Sequence, residues 1–169
     1  MAKKIYLYNG YFNWTASTKP IPKEDLDIPK KIYDRRPHYI IKIARKILNN
    51  GGNLVYFRIE ELEWWWHLYK SGTSFNKIKH TYKSMQLHNC HQNCLKLWVK
   101  NPDRYQVVTG FALLDRGIWN AHTWVINTQK NILVDPLCKA KKYYGFILTR
   151  EQTQSWYNIF RINLVDLNF

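Results

Sequence analysis

A short amphipathic helix followed by a run of strand-like segments most constrains how this chain can fold. Apolar residues recur at three- and four-residue steps from Cys90 to Trp98, and Asn89 is a residue type favoured at helix N-termini. The spacing predicts a helix over residues 90–100. Further patterns predict strands at 105–114, 118–127, 131–135 and 143–149, and a helix at 151–160. This order predicts an α+β fold in which one helix packs on an antiparallel sheet.

Cys90 falls in the first turn of the predicted helix, where unpaired backbone N–H groups and the helix dipole favour a thiolate over a thiol. His122 lies in an aromatic and β-branched strand, and Asp135 ends the next strand because Pro136 cannot continue a ladder. The polar turn at 127–131 would join these strands as a hairpin and place Asp135 beside His122. We therefore predict a catalytic set of Cys90 as nucleophile, His122 as base and Asp135 as orienting carboxylate.

Two other cysteines compete for the role of the nucleophile. Cys94 lies one helical turn beyond Cys90, where an inert packed thiol is expected, and Cys138 precedes several lysines but has no histidine neighbour in sequence. An oxyanion hole is expected from the Cys90 backbone N–H and the side chain of Gln86. Asn93 is expected either to hold the loop that shapes the cleft or to make a structural bond.

A zinc site is the main chemical alternative to this catalytic set. The candidate ligands are His88, Cys90, His91 and Cys94, with His122 or Cys138 completing a tetrahedron. The helical Cys-x-x-x-Cys spacing is not that of a standard zinc knuckle, and the chain has no glycine-rich phosphate loop. We therefore expect neither a metal nor a cofactor.

Several motifs follow one another in the second half of the chain. They are Cys90-x-x-Asn93, Tyr105-x-Val-Val-Thr-Gly110, Trp119-x-x-His122-x-Trp124, Val134-Asp135-Pro136 and Tyr143-Tyr144-Gly145. The series resembles a group of small uncharacterised phage and bacterial proteins with a papain-like, transglutaminase-like fold. The resemblance covers residues 86–148. It implies a papain-like core with Cys90, His122 and Asp135 in the catalytic places.

The first half of the chain lies outside this resemblance. We predict a basic, aromatic-rich N-terminal extension over residues 1–83 and the papain-like core over residues 84–169, together forming one compact unit. The predicted elements of the extension are a hairpin at 3–14, a proline-containing loop at 15–31, a helix at 39–48, a strand at 53–59 and a helix at 60–69. The helix at 39–48 and its strand form either a small lobe or an addition to the sheet. The tail at 162–167 is a possible edge strand.

Trp64, Trp65 and Trp66 cannot all face one core, because three consecutive helical residues span about 200°. One interpretation is that two of them pack inward and the third covers a junction. The other is that they bind a substrate or partner, together with Trp124.

The net charge of +14 favours an acidic partner such as nucleic acid or a nucleoprotein. The chain has three cysteines, which is not a disulfide framework, and no long apolar run. We therefore expect a cytoplasmic protein without a membrane partner, in the host cytoplasm if it is phage-encoded.

Two classes of function fit these observations. The first is a cysteine-nucleophile hydrolase or acyltransferase, of the peptidase or transglutaminase type, acting on an amide or thioester of a protein, peptide or small molecule. The alternative is a non-catalytic basic protein on the same fold, a phage-type inhibitor or a binder of nucleic acid or nucleoprotein.

Overall fold

The computed structural model describes residues 38–52, 54–56, 62–87, 89–115 and 117–160. The predicted hairpin at 3–14, the loop at 15–31 and the tail strand at 162–167 lie outside the described residues. Among the described residues, no helix is both long enough and apolar enough to cross a membrane.

The predicted helices and strands within the described residues occur in the expected order, and two short strands that were not predicted lie between them. The helices are α1 (His38–Asn49), α2 (Leu62–Ser71), α3 (Cys90–Lys100) and α4 (Arg150–Phe160). The strands are β1 (Leu54–Tyr56), β2 (Thr73–Ser74), β3 (Lys79–Tyr82), β4 (Tyr105–Leu113), β5 (Ile118–Asn127), β6 (Ile132–Asp135) and β7 (Lys142–Ile147). Every element predicted after residue 84 within the described ranges begins within one residue of its predicted start. These elements agree with the predicted α+β class, but the sheet is mixed rather than antiparallel as predicted, because β1 and β3 pair in parallel.

The strands form one mixed sheet in the order β2-β7-β4-β5-β6-β3, and β1 pairs with β5 outside this path. The central strands β4 and β5 are antiparallel and meet in a turn where Gly117 has φ 75°. Such a positive φ is strained for residues other than glycine. β5 and β6 form the predicted hairpin, whereas β1 and β3 join the sheet in parallel.

One edge of β5 is shared by two strands and has an opening between them. β1 pairs with residues 118–120, and β6 pairs with residues 125–127. Among the described strands, none pairs with residues 121–124 on that edge, while β4 pairs with them on the other. His122 lies in this opening between the paired parts of the edge.

Because successive side chains of a strand point to opposite faces of the sheet, the buried apolar side chains form two clusters. In the larger cluster, Ile47 of α1 and Leu95 of α3 are packed with Val125 of β5. The smaller cluster includes Trp124 and Tyr143. Neighbouring residues of β5 therefore serve different clusters, as expected for a strand covered on both faces.

The predicted boundary between residues 83 and 84 does not separate two sheets. The strands β1, β2 and β3 precede it and pair with strands that follow it. The helix at 38–49 contributes to the same apolar cluster as α3. Of the two arrangements open for this helix and its strand, the structure has the one in which they add to the sheet.

Candidate active site

Cys90 is the first residue of α3 and is partly exposed. Asn89 occupies the N-cap position, but its side chain makes no capping hydrogen bond. The carbonyl of Asn89 instead accepts from the backbone N–H of Asn93 at 2.8 Å, which closes the first helical turn. The backbone N–H of Cys90 has no partner within the helix, because the first turn of any helix leaves its N–H groups free.

His122 and Asp135 are brought together by the β5–β6 hairpin. His122 Nε2 lies 2.8 Å from Asp135 Oδ2, and the exposed fractions of the two side chains are 5% and 1%. Asp135 is the last residue of β6, where the strand ends at the proline. The hairpin turn contains Asn131 with φ 48°, a conformation that asparagine tolerates better than most residues.

Three further hydrogen bonds fix the orientation of the Asp135 carboxylate. Its Oδ1 accepts from the backbone N–H groups of Leu137 at 2.8 Å and Cys138 at 3.0 Å. Its Oδ2 accepts from the hydroxyl of Tyr143 at 2.8 Å, in addition to its contact with His122. The oxygen that faces the imidazole is therefore held both directly by Tyr143 and through the bonds to the other carboxylate oxygen.

The pair is arranged to carry opposite charges. Burial by itself lowers the pKa of His122, but the contacts with Asp135 and Cys138, together with nearby Cys90, outweigh it and raise that pKa above the ordinary value. Burial by itself raises the pKa of Asp135, but the hydrogen bond to His122 and two backbone N–H bonds lower it overall. An imidazolium beside a carboxylate is therefore the favoured state.

Cys90 also lies close enough to the His122 ring to help raise its pKa. Because Asp135 occupies Nε2 at 2.8 Å, the ring has one other nitrogen with which to exchange a proton. The structure thus brings together the three residues predicted from the sequence: a sulfur at a helix N-terminus, an imidazole and a carboxylate. A thiol, an imidazole and a carboxylate are the residue types that nucleophilic thiol chemistry uses.

Cys138 is a fourth member of the site. Its Sγ lies 3.8 Å from His122 Nε2 and donates to Asp135 Oδ2 at 3.5 Å. Cys90 has no such carboxylate contact among the bonds of the described residues, and it lies at the start of a helix whereas Cys138 lies after a strand.

Asn93 and Cys94 lie on the buried side of α3, one turn after Cys90. Cys94 is fully buried, and burial raises the pKa of its thiol, as expected for a packed cysteine. Asn93 is also fully buried and donates from Nδ2 to the carbonyl of Gln86 at 2.7 Å, which ties the preceding loop to α3. The Gln86 side chain is exposed, and its role in an oxyanion hole stays a prediction.

The tryptophans predicted as binding residues lie in different environments. Trp124 is fully buried and stacks on His122 with 6.2 Å between ring centroids. Trp64 is partly buried and meets Trp156 edge-on at 4.6 Å. Trp66 is 46% exposed, and Lys70 Nζ lies 4.8 Å from its ring. The side chain of Trp65 lies outside the described part of the chain.

One group in the described part of the chain has the composition of a metal site. The ligand atoms of His122, Asp135 and Cys138 all lie within 4.8 Å of one another. This differs from the helical alternative considered from the sequence, whose first member, His88, lies outside the described residues. His91 of that alternative meets Thr123 instead, with 2.7 Å between Nδ1 and Oγ1.

Tyr143 is a member of the site that was not predicted from the sequence, and Cys138 was predicted only as a rival nucleophile. Tyr143 on β7 reaches Asp135 on β6 although two strands, β4 and β5, lie between them in the sheet. Its only sequence signal was a place in the Tyr143-Tyr144-Gly145 motif.

A search of protein-family models, one of the curated proteins and one of the solved structures found no match to this chain.

Proposed function

We propose that this protein is a cysteine-nucleophile hydrolase or acyltransferase of the peptidase or transglutaminase type, with a papain-like core. One observation carries the proposal: the 2.8 Å contact between His122 Nε2 and Asp135 Oδ2, on an imidazole whose pKa nearby Cys90 helps to raise. A thiol at a helix N-terminus near a carboxylate-bound imidazole is the arrangement that nucleophilic thiol chemistry uses. The substrate class is an amide or thioester of a protein, peptide or small molecule, and the three free thiols fit a reducing cytoplasm.

The proposed reaction begins with a thiolate at Cys90 and an imidazolium at His122. The sulfur attacks the carbonyl carbon, while the backbone N–H at the start of α3 stabilises the negative oxygen. The imidazolium then donates its proton to the leaving amine or thiol, which leaves an acyl group on Cys90. Neutral His122 next accepts a proton from water in hydrolysis, or from an amine in acyl transfer, and the acyl group departs.

Alkylation by iodoacetamide at about pH 6, followed by mass spectrometry of the cysteine peptides, tests this proposal. Cys90 is expected to be modified fastest of the three cysteines. His122→Ala should slow that modification by about 10²- to 10⁴-fold, because the thiolate loses its partner cation. His67→Ala, which removes an exposed histidine, is the control. Equal and slow alkylation of all three thiols would exclude this class of enzyme.

A basic binding protein is the second candidate. Trp66 and Lys70 place an exposed indole beside a cation on α2. All four residues of β3, Lys79–Tyr82, are exposed as well. Aromatic rings among lysines suit a single-stranded nucleic acid, because its bases can stack on the rings and its phosphates can pair with the lysines.

Fluorescence anisotropy with a labelled single-stranded oligonucleotide distinguishes this candidate from the enzyme. Binding should weaken steeply with salt, and Trp66→Ala should cost about 1–3 kcal/mol if a base stacks on it. Val99→Ala, another exposed apolar position, is the control. Binding that is absent, or equally strong at low and high salt, removes the candidate.

A further inference from the structure

Three chemically different ligand atoms meet at one point of the site, and acyl transfer does not require all of them. His122 contributes a ring nitrogen, Asp135 a carboxylate oxygen and Cys138 a sulfur. The first two are at least 95% buried, and Cys138 is partly exposed, which leaves a route from solvent. Nitrogen, oxygen and sulfur in one set are the ligands that zinc accepts together.

We propose that His122, Asp135 and Cys138 bind a zinc ion and that the bound ion blocks the chemistry of Cys90. The inhibitory half of this inference rests on the proposed function, whereas zinc binding does not. Zinc would displace the proton shared by His122 and Asp135 and the thiol proton of Cys138, so that two protons leave as one ion enters.

The distances among the three atoms fit one face of a zinc tetrahedron. Ordinary bond lengths give edges of about 3.6 Å for nitrogen to sulfur, about 3.6 Å for oxygen to sulfur and about 3.4 Å for nitrogen to oxygen. The observed Cys138 distances are 3.8 Å to His122 Nε2 and 3.5 Å to Asp135 Oδ2. The nitrogen–oxygen distance of 2.8 Å is that of a hydrogen bond, and it would lengthen when zinc replaces the proton.

The groups around these ligands also suit a metal. Tyr143 donates to the ligand oxygen, and the backbone N–H groups of Leu137 and Cys138 hold the other carboxylate oxygen. Hydrogen bonds of this kind orient the ligands of zinc sites. Three protein ligands leave one coordination position for water, and the thiolate favours zinc over magnesium or calcium.

Zinc at this point would remove the proton chemistry on which Cys90 depends. A zinc-bound imidazole has no nitrogen lone pair left with which to accept a proton from a thiol. Asp135, now a zinc ligand, would no longer stabilise an imidazolium. Zinc binding and thiol reactivity at Cys90 are therefore expected to exclude each other.

Zinc chloride titrated into the chelator-treated full-length protein, in competition with a chromophoric zinc chelator, tests the binding. Wild type is expected to bind one zinc ion per chain. Cys138→Ser should weaken the affinity by at least about 10-fold, while Cys90→Ser, the same chemical change at the neighbouring thiol, should not. Circular dichroism checks that both variants are folded, and cobalt substitution should give a thiolate-to-metal band that only Cys138→Ser loses.

The inference is overturned if Cys138→Ser binds zinc as tightly as wild type, or if wild type binds none in this competition. It is also overturned if Cys90→Ser abolishes binding. Zinc should slow the alkylation of Cys90 in wild type but not in Cys138→Ser. Zinc that binds through Cys138 without slowing this alkylation refutes the inhibitory half. A thiol at Cys90 that is inert even without zinc refutes the proposed enzyme but leaves the binding site standing.

Discussion

At the scale of single residues, His122 is the side chain on which the others converge. Its ring contacts Asp135 and the Cys138 sulfur through Nε2 and stacks on Trp124, and Cys90 lies near enough to help raise its pKa. Burial would favour the neutral ring, yet the carboxylate and the sulfurs raise its pKa. Its protonation is therefore set by contacts from several elements.

Replacing Asp135 with asparagine should test how strongly the carboxylate controls this imidazole. Asn keeps the shape and can still accept from the N–H groups of Leu137 and Cys138, but it removes the charge. The pKa of His122 is expected to fall, measured by NMR titration of its ring protons, and alkylation of Cys90 should slow by about 10²- to 10⁴-fold.

Tyr143→Phe is the matched control for this change, because it removes one hydrogen bond from the same oxygen and keeps the charge. Its effect on the titration of His122 should be the smaller of the two. An Asp135→Asn protein in which His122 titrates as in wild type would show that the carboxylate is not the controlling contact.

The same pair should link the stability of the protein to pH. Because the pKa of His122 is raised, its contribution to the free energy of unfolding is complete below its ordinary pKa of 6.5. That contribution is lost as the pH rises through the pKa of the folded protein. Because the pKa of Asp135 is lowered, its contribution to the free energy of unfolding is complete above its ordinary pKa of 3.8. That contribution is lost as the pH falls through the pKa of the folded protein.

The contribution of the pair to the free energy of unfolding should therefore be largest between about pH 4 and pH 6.5. Urea unfolding of wild type and of the double variant His122→Gln, Asp135→Asn measures it as a difference at each pH. Other titrating groups are common to both proteins and cancel. A difference that stays constant from acid to alkaline pH would contradict the shifts on which this expectation rests.

At the scale of elements, the close contact of strands β7, β4 and β5 positions the site. Gly110 of β4 pairs with His122 on one side and with Gly145 of β7 on the other. A Cβ at Gly110 would lie 2.2 Å from the carbonyl oxygen of Tyr144 and 2.4 Å from the Cα of Gly145. Both of these atoms belong to the backbone, so the strands themselves would have to separate.

Gly110→Ala is expected to destabilise the protein by about 1–3 kcal/mol or more, because an inserted methyl group cannot be accommodated by a side-chain rotation. The free energy of unfolding in urea measures the effect. Gln106→Ala, at an exposed position of the same strand, should change it by less than about 0.5 kcal/mol. Equal stability of the two variants would show that β4 and β7 are not held this closely.

The longer elements could be predicted from the sequence because their periodicity is local. The helix from Cys90 and the strands from Tyr105 and Ile118 begin at their predicted residues. The strands β2 and β3 could not be predicted in this way. Both are short and exposed throughout, so no alternation of apolar and polar residues marks them, and only pairing with β7 and β6 makes them strands.

At the scale of the whole molecule, residues 38–56 contribute to the same core as the second half of the chain. Ile43 and Ile47 of α1 and Val55 of β1 are fully buried in the larger apolar cluster. β1 also pairs directly with Ile118 to Asn120 of the strand that carries His122. Unfolding of this part should therefore disturb the site.

Ile47→Ala is expected to lower the free energy of unfolding by about 2–5 kcal/mol, the usual cost of a cavity at a fully buried position. Tryptophan fluorescence and the NMR signal of His122 should report one common transition. Arg45→Ala, exposed on the same helix, is the control. A variant that loses α1 while His122 keeps its folded signal would indicate an independent lobe.

The sequence by itself determined where the main elements begin, which sulfur lies at a helix start, and which histidine and aspartate a hairpin would bring together. These features depend on residue types and spacings along a short stretch of chain. Only the tertiary structure decided that Cys138 and Tyr143 share the carboxylate of Asp135 and that β1 and β6 leave an opening beside His122. Those contacts depend on strand order and register, which are set by packing between distant segments.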